Sequence, residues 1–163
     1  MATRPSHLDP FEAAVLATVR ERRLFGGEAR VLVALSGGAD SVALLAALAA
    51  LRGAGALEDV SACHVDHQLR PGSDADGVAC AALCAELEVP LVRTPVTVPG
   101  GENVQQAARR ERYRALRAAA ALAGASRIAT GHTMGDQAET VLLRLLRGAG
   151  ARGLSGIPPR RGT

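Results

Sequence analysis

Val-Leu-Val-Ala-Leu-Ser-Gly-Gly-Ala-Asp-Ser, residues 31–41, carries a short apolar run through a tight polar turn straight into the helical stretch Val42 to Leu51. Gly37 and Gly38 let the backbone approach a ligand closely, and the free N–H groups that open the following helix attract an anion. Asp40 sits badly beside a bare phosphate unless a divalent cation bridges the two, so the turn points to a magnesium-nucleotide. The same residues also suit an ordinary strand-to-helix turn, with Asp40 or Ser41 capping the helix and the glycines relieving strain. Two other phosphate turns are excluded. A P-loop needs a lysine after its last glycine, and this chain has none. A dinucleotide fingerprint needs a third glycine where this chain has Ser41.

Outward from this turn the chain alternates. Residues 10–24 place Phe11, Ala14, Val15, Val19 and Leu24 at the spacing of an amphipathic helix. Strand-like runs then fall at 31–35, 59–65, 91–96 and 127–130, separated by helical stretches at 41–52, 74–88, 102–123 and 137–147. Repeated strand and helix predict an α/β three-layer sandwich whose mainly parallel, doubly wound sheet carries helices on both faces. Ligands of such sheets gather at the carboxyl ends of the strands. Four polar loops follow those ends: Ser36–Ser41, His64–Arg70, Pro99–Asn103 and Gly131–Glu139.

At 163 residues one domain, 1–163, is the expectation. Of the apolar residues only Phe11, Phe25 and Tyr113 are aromatic, so the core is aliphatic. The net charge of +3 decides little about partners. Cys63, Cys80 and Cys84 make an odd set without Cys-x-x-Cys spacing, poor material for a disulfide framework; they read as small buried hydrophobes, with a metal or redox pair at Cys80 and Cys84, four apart, as the alternative. The N-terminus lacks a signal pattern and Val42–Leu51 is too short to span a bilayer, so a cytoplasmic protein without a membrane partner is expected. Residues 148–163, rich in Gly, Pro and Arg, read as a loop or tail, and the chain reads as cut before its next strand.

Three further segments carry chemistry. In Gly131-His-Thr-Met-Gly-Asp-Gln-Ala-Glu-Thr140, a helix starting near Asp136 would put Asp136, Glu139 and Thr140 in its first turn, either as a ligand site or as an Asp-x-x-Glu capping box. His64-Val-Asp-His-Gln-Leu-Arg70 has too few ligands for zinc, so Asp66, His67 and Arg70 are expected to line the cleft or hold the loop. In residues 102–117 helical spacing aligns Gln105, Arg109 and Arg112. Most of these arginines suit a solvated face, but one aimed at the cleft would neutralise developing phosphate charge, and Arg109 and Arg112 are the candidates.

Ser36–Ser41 resembles the pyrophosphate loop of the ATP pyrophosphatases. Taken with His64–Arg70, Ala108-Arg-Arg-Glu-Arg-Tyr113, Gly131–Thr140, Leu142–Gly148 and Gly153–Ile157, the whole is similar to the tRNA(Ile)-lysidine synthetase family. The resemblance implies an adenine nucleotide alpha hydrolase-like fold. It also implies an enzyme that adenylates the wobble cytidine of an isoleucine tRNA with a CAU anticodon, after which free L-lysine displaces AMP. By the same resemblance ATP and Mg²⁺ fall to Ser36, Gly37, Gly38, Ala39, Asp40 and Ser41, with His64 beside the nucleotide and Asp40 as metal ligand. Asp136 and Glu139 would orient lysine, with Asp40, His132 and Arg109 or Arg112 at the reaction centre. A homodimer is compatible with this reading. The family's tRNA-holding C-terminal region is absent from the 163 residues. A thiolating relative, or a nucleotide-binding piece without turnover, are the alternatives.

Overall fold

The computed structural model describes residues 7–66, 73–97, 104–148, 150 and 155–160. They form two compact units, Met1–Thr130 and Gly131–Thr163. In the first, α1 (Pro10–Glu21), β1 (Arg30–Ala34), α2 (Ala39–Gly53), β2 (Asp59–Asp66), α3 (Ser73–Glu86), β3 (Leu91–Pro95), α4 (Val104–Leu122) and β4 (Arg127–Thr130) follow in order. All four strands are parallel, in the spatial order β3-β2-β1-β4. The chain thus steps outward from β1 to β3, then crosses back to lay β4 on the other side of β1. This reversal puts the topological switch point between the ends of β1 and β4, immediately where the Ser36–Ser41 turn leaves the sheet.

β1 is buried on both faces, and its side chains divide between two aliphatic layers. Val31, Val33 and Leu35 join Leu45, Leu48 and Leu51 of α2 and Cys80 and Cys84 of α3. Leu32 and Ala34 point the other way, onto Leu116, Ala119 and Ala120 of α4. Helices α1, α2 and α3 therefore share one face and α4 covers the other, the three layers the alternation called for. α2 and α3 are tied at their ends as well: the Arg52 guanidinium donates to the carbonyls of Leu87 and Glu88, both at 3.0 Å.

Local chemistry sets the ends of the helices. α1 starts at a capping box in which Asp9 accepts from the Glu12 N–H at 2.8 Å and Glu12 accepts from the Asp9 N–H at 2.9 Å, with Pro10 as first helical residue. It stops at Glu21, short of the expected residue 24, because Arg23 turns to a φ of +49°. The second unit contains α5 (Met134–Leu146). Gln137 of α5 grips the backbone of Ile157 twice, donating to its carbonyl at 2.6 Å and accepting from its N–H at 2.7 Å. Gly156 is buried there with a φ of +71°, so a side chain would be strained, and a Cβ would meet Gln137 Oε1 at 2.6 Å and push the amide aside. Residues 155–160, part of the expected tail, thus include a segment folded onto α5. Among the described residues no helix is long and apolar enough to cross a membrane.

Candidate functional site

The turn after β1 is built by its own serines. Ser41, only 5% exposed, donates its hydroxyl to the Gly38 carbonyl at 2.8 Å and accepts from the Ser36 N–H at 3.2 Å, with the two hydroxyl oxygens 3.1 Å apart. The Ser36 hydroxyl in turn accepts from the Gly38 N–H at 3.4 Å. Gly37 takes a φ of +87°, which bends the chain sharply, and Gly38 in extended geometry becomes the N-cap of α2. This corrects the expectation that Asp40 or Ser41 caps the helix. No side chain caps α2, because Ser41 is turned back into the loop and Asp40 lies in the first helical turn.

The result is a row of exposed backbone donors. Among the described residues the N–H groups of Gly37, Ala39 and Asp40 have no acceptor, and residues 36–40 are all exposed. These amides carry the positive end of the α2 dipole. Gly38 is informative for what it does not need. Its φ of −74° suits any residue, and a Cβ there would meet nothing nearer than Ser36 Oγ at 3.6 Å. Among the described residues packing does not demand glycine at 38, and without a side chain the position leaves the amides open to close approach. The cradle and the exposed Asp40 carboxylate one residue into the helix fit a phosphate group accompanied by a divalent cation.

Behind the cradle stand residues of β2 and α3. His64 is 5% exposed, and its Nδ1–H donates to the Leu35 carbonyl at 2.9 Å. A carbonyl only accepts, so the proton is fixed on Nδ1 and the Cys80 sulfur, 3.6 Å from the same nitrogen, takes the acceptor role. His64 thereby braces the point where β1 ends and the loop begins. Cys80 and Asp76 of α3 back Gly37 directly: a Cβ on Gly37 would lie 3.7 Å from Cys80 Sγ and 3.8 Å from Asp76 Cβ. Burial pushes the thiols of Cys63 and Cys80 up and that of Cys84 up to about 11, so all three are protonated packing groups at neutral pH.

On α4, Arg109 lies over the ring of Tyr113, its guanidinium carbon 5.4 Å from the ring centre, and Arg112 is half-buried. Glu111 is buried between Arg114 at 2.6 Å and Arg110 at 3.5 Å. This buried carboxylate was not singled out from the sequence, although its i+3 spacing to Arg114 was there to be read. Gln105 is exposed at the start of the same helix.

In the second unit α5 begins at Met134, not near Asp136. Thr133 is its N-cap, and the capping box pairs Thr133 with Asp136: Asp136 Oδ2 accepts from the Thr133 N–H at 2.6 Å and from its hydroxyl at 3.1 Å, while the Asp136 N–H donates to Thr133 Oγ1 at 3.3 Å. The expected Asp136–Glu139 capping box is therefore replaced by one three residues earlier, because a threonine with a free hydroxyl precedes the helix. These bonds, with His132 nearby, hold the Asp136 carboxyl below its usual range. Glu139 and His132 are exposed. His67 and Arg70, and the whole of the 99–103 loop, lie outside the described residues. Among the described residues no three His, Cys, Asp or Glu side chains cluster as metal ligands.

A parallel sheet whose strand order reverses beside a glycine turn and an uncapped helix defines a class of nucleotide-handling domain, and comparison with known sequences gives it a name. The chain belongs to the PP-loop domain family, whose model matches residues 10–163. Among curated relatives, a tRNA(Ile)-lysidine synthase of Symbiobacterium thermophilum is 48% identical over 150 residues, covering 88% of this chain and 30% of that protein. One of Ralstonia nicotianae is 47% identical over 139 residues, covering 83% of this chain and again 30% of its own length. The chain spans about a third of the length of these relatives. Among solved structures, a U34-tRNA thiolase from Methanococcus maripaludis with its [4Fe-4S] cluster superposes with a TM-score of 0.70 over 87% of this chain and 52% of its own, at 17% identity, which is a likeness of fold.

Proposed function

We propose that this chain is the ATP-using domain of a tRNA-modifying ligase, one that joins free L-lysine to the wobble cytidine of an isoleucine tRNA with a CAU anticodon. The observation that carries this reading is the cradle of amides at Gly37, Ala39 and Asp40, which have no acceptor among the described residues, in a chain 47–48% identical over most of its length to proteins named tRNA(Ile)-lysidine synthase. The loop and its helix dipole bind the phosphates of ATP and stabilise pyrophosphate as it leaves. Asp40 would hold Mg²⁺, which when bound supplies Lewis-acid stabilisation of the phosphate charge. Ser36 and Ser41 keep the loop in shape, and His64 holds it to the sheet.

Arg109 and Arg112 are the candidates for neutralising charge around the reacting phosphate, together with His132. Asp136 and Glu139 are the candidates for the lysine ammonium; Asp136 Oδ1 remains available when Oδ2 serves the cap. The buried, protonated thiols speak against the thiolating alternative, which needs accessible cysteine sulfur. The test is release of AMP and pyrophosphate from ATP·Mg²⁺. Turnover that requires both lysine and the CAU isoleucine tRNA supports the ligase. Sulfur incorporation, or turnover indifferent to lysine, overturns it, and failure to bind ATP at all removes the nucleotide reading.

A further inference from the structure

The loop has amides and an acid but no cation of its own, since residues 36–41 include neither lysine nor arginine. A guanidinium stands close by in a place that no motif foretold. Arg93 is the third residue of β3 and pairs in register with His64 on β2, so its side chain rises on the same face as α3. There its guanidinium lies against Gly77, in the second turn of α3. A Cβ built on Gly77 would overlap Arg93 Nη2 outright and sit 2.9 Å from Cζ and 3.1 Å from Nε. Gly77 directly follows Asp76, and Asp76 and Cys80 are the two residues that back Gly37 of the loop. The Arg93 charge is near enough to Cys80 to act on its thiol.

Two features of this arrangement ask for an explanation. Glycine inside a helix is unfavourable relative to alanine, yet here it opens the space that the guanidinium fills. And Arg93 is exposed, with no hydrogen bond and no ion pair among the described residues, so its five N–H donors are uncommitted. A surface arginine with a free rotamer needs no glycine beneath it.

We infer that Arg93, seated over Gly77, is a further phosphate-binding residue: its guanidinium takes the pyrophosphate moiety of ATP from the α3 side of the loop. This rests on the reading of the loop as a pyrophosphate site. Arginine suits the task because its planar fork offers two parallel donors to one phosphate and stays charged throughout.

The test is a double-mutant cycle on the whole chain, read by titration calorimetry with ATP·Mg²⁺, pyrophosphate and AMP. Arg93→Ala is expected to weaken ATP and pyrophosphate by about 10- to 100-fold, the loss of one charge-assisted bond, while AMP changes less than twofold. Gly77→Ala, which keeps the arginine but evicts it from its seat, is expected to produce the same selective loss. The double variant should bind ATP no more weakly than Arg93→Ala alone, and should be at least as stable, since alanine favours α3 once the guanidinium is gone. Circular dichroism confirms that each variant keeps its fold. Unchanged ATP affinity in Arg93→Ala, equal losses for ATP and AMP, or losses that simply add in the double variant overturn the inference. A wild-type chain that binds AMP and ATP but loses neither on these substitutions leaves the nucleotide reading standing without Arg93; one that binds neither nucleotide fails that reading first.

Discussion

Gly37 and Gly38 are neighbours under different backbone constraints, and alanine at each separates the fold from the proposed phosphate site. At Gly37 the φ of +87° is the constraint, because the nearest atoms to a new Cβ are at ordinary contact distances of 3.7 and 3.8 Å. Left-handed backbone costs a non-glycine residue about 1–2 kcal/mol. For a chain of this size 1 kcal/mol moves the melting midpoint by about 2–4 °C, so Gly37→Ala should lower it by about 2–8 °C. At Gly38 the backbone suits alanine, and among the described residues the nearest neighbour is Ser36 Oγ at 3.6 Å. Reduced freedom of the unfolded chain favours Gly38→Ala by about 0.4–1 kcal/mol, and the poorer N-cap costs about as much. The two offset, and the midpoint should stay within about 2 °C. The new methyl stands among the exposed amides, however, so ATP·Mg²⁺ affinity should fall at least about tenfold, a loss of about 1.4 kcal/mol. Thermal melts followed at 222 nm, beside titration calorimetry, give both numbers. If Gly38→Ala binds ATP like the wild type, the amides are not where the phosphates sit. If Gly37→Ala melts unchanged, the strained turn is not as described.

Other expectations concern the supports of the site. His64→Ala removes a buried ring and leaves the Leu35 carbonyl without its donor, which should cost about 2–4 kcal/mol by urea unfolding; a loss under 1 kcal/mol would deny it the bracing role. Leu116→Ala, fully buried where α4 meets the sheet, should cost about 2–5 kcal/mol, again read from the urea midpoint. Native protein at pH 8 should react slowly with a thiol reagent and expose all three cysteines only on unfolding, since burial raises each thiol and lifts Cys84 to about 11; rapid labelling in the native state would contradict the packing. The Asp136 carboxyl is held down by the Thr133 cap, so it titrates lower folded than unfolded. Its help to α5 is present above the ordinary carboxyl range and is lost as pH falls through the depressed value. Asp136→Asn should remove that part of the acid sensitivity of α5, measurable as amide exchange along Met134–Leu146.

The strands were legible because a sheet covered on both faces writes itself as short apolar runs between polar turns; each of the four falls within a residue or so of its expected place. The loop was legible because its residues are contiguous and its requirements local. What the sequence concealed was which of several capable residues would do a job. Ser41 and Asp40 can both cap, and neither does, because the Ser41 hydroxyl is nearer to Ser36 and the Gly38 carbonyl. Asp136 can start a capping box or finish one, and Thr133 decides for the second. The register of β2 sends His64 inward to a carbonyl 29 residues earlier, beyond the reach of any local pattern. Arg93 over Gly77 joins residues from different elements, a contact no local pattern announces.

The scarcity of aromatic rings has a practical side. With no tryptophan and Tyr113 as its single tyrosine, the chain carries one natural chromophore of any strength, lodged half-buried on α4 beneath the Arg109 guanidinium. Ultraviolet emission from the unlabelled polypeptide therefore comes from one known address. Any ligand that draws Arg109 off that ring changes the signal without a dye being attached, so binding at α4 can be watched as it happens.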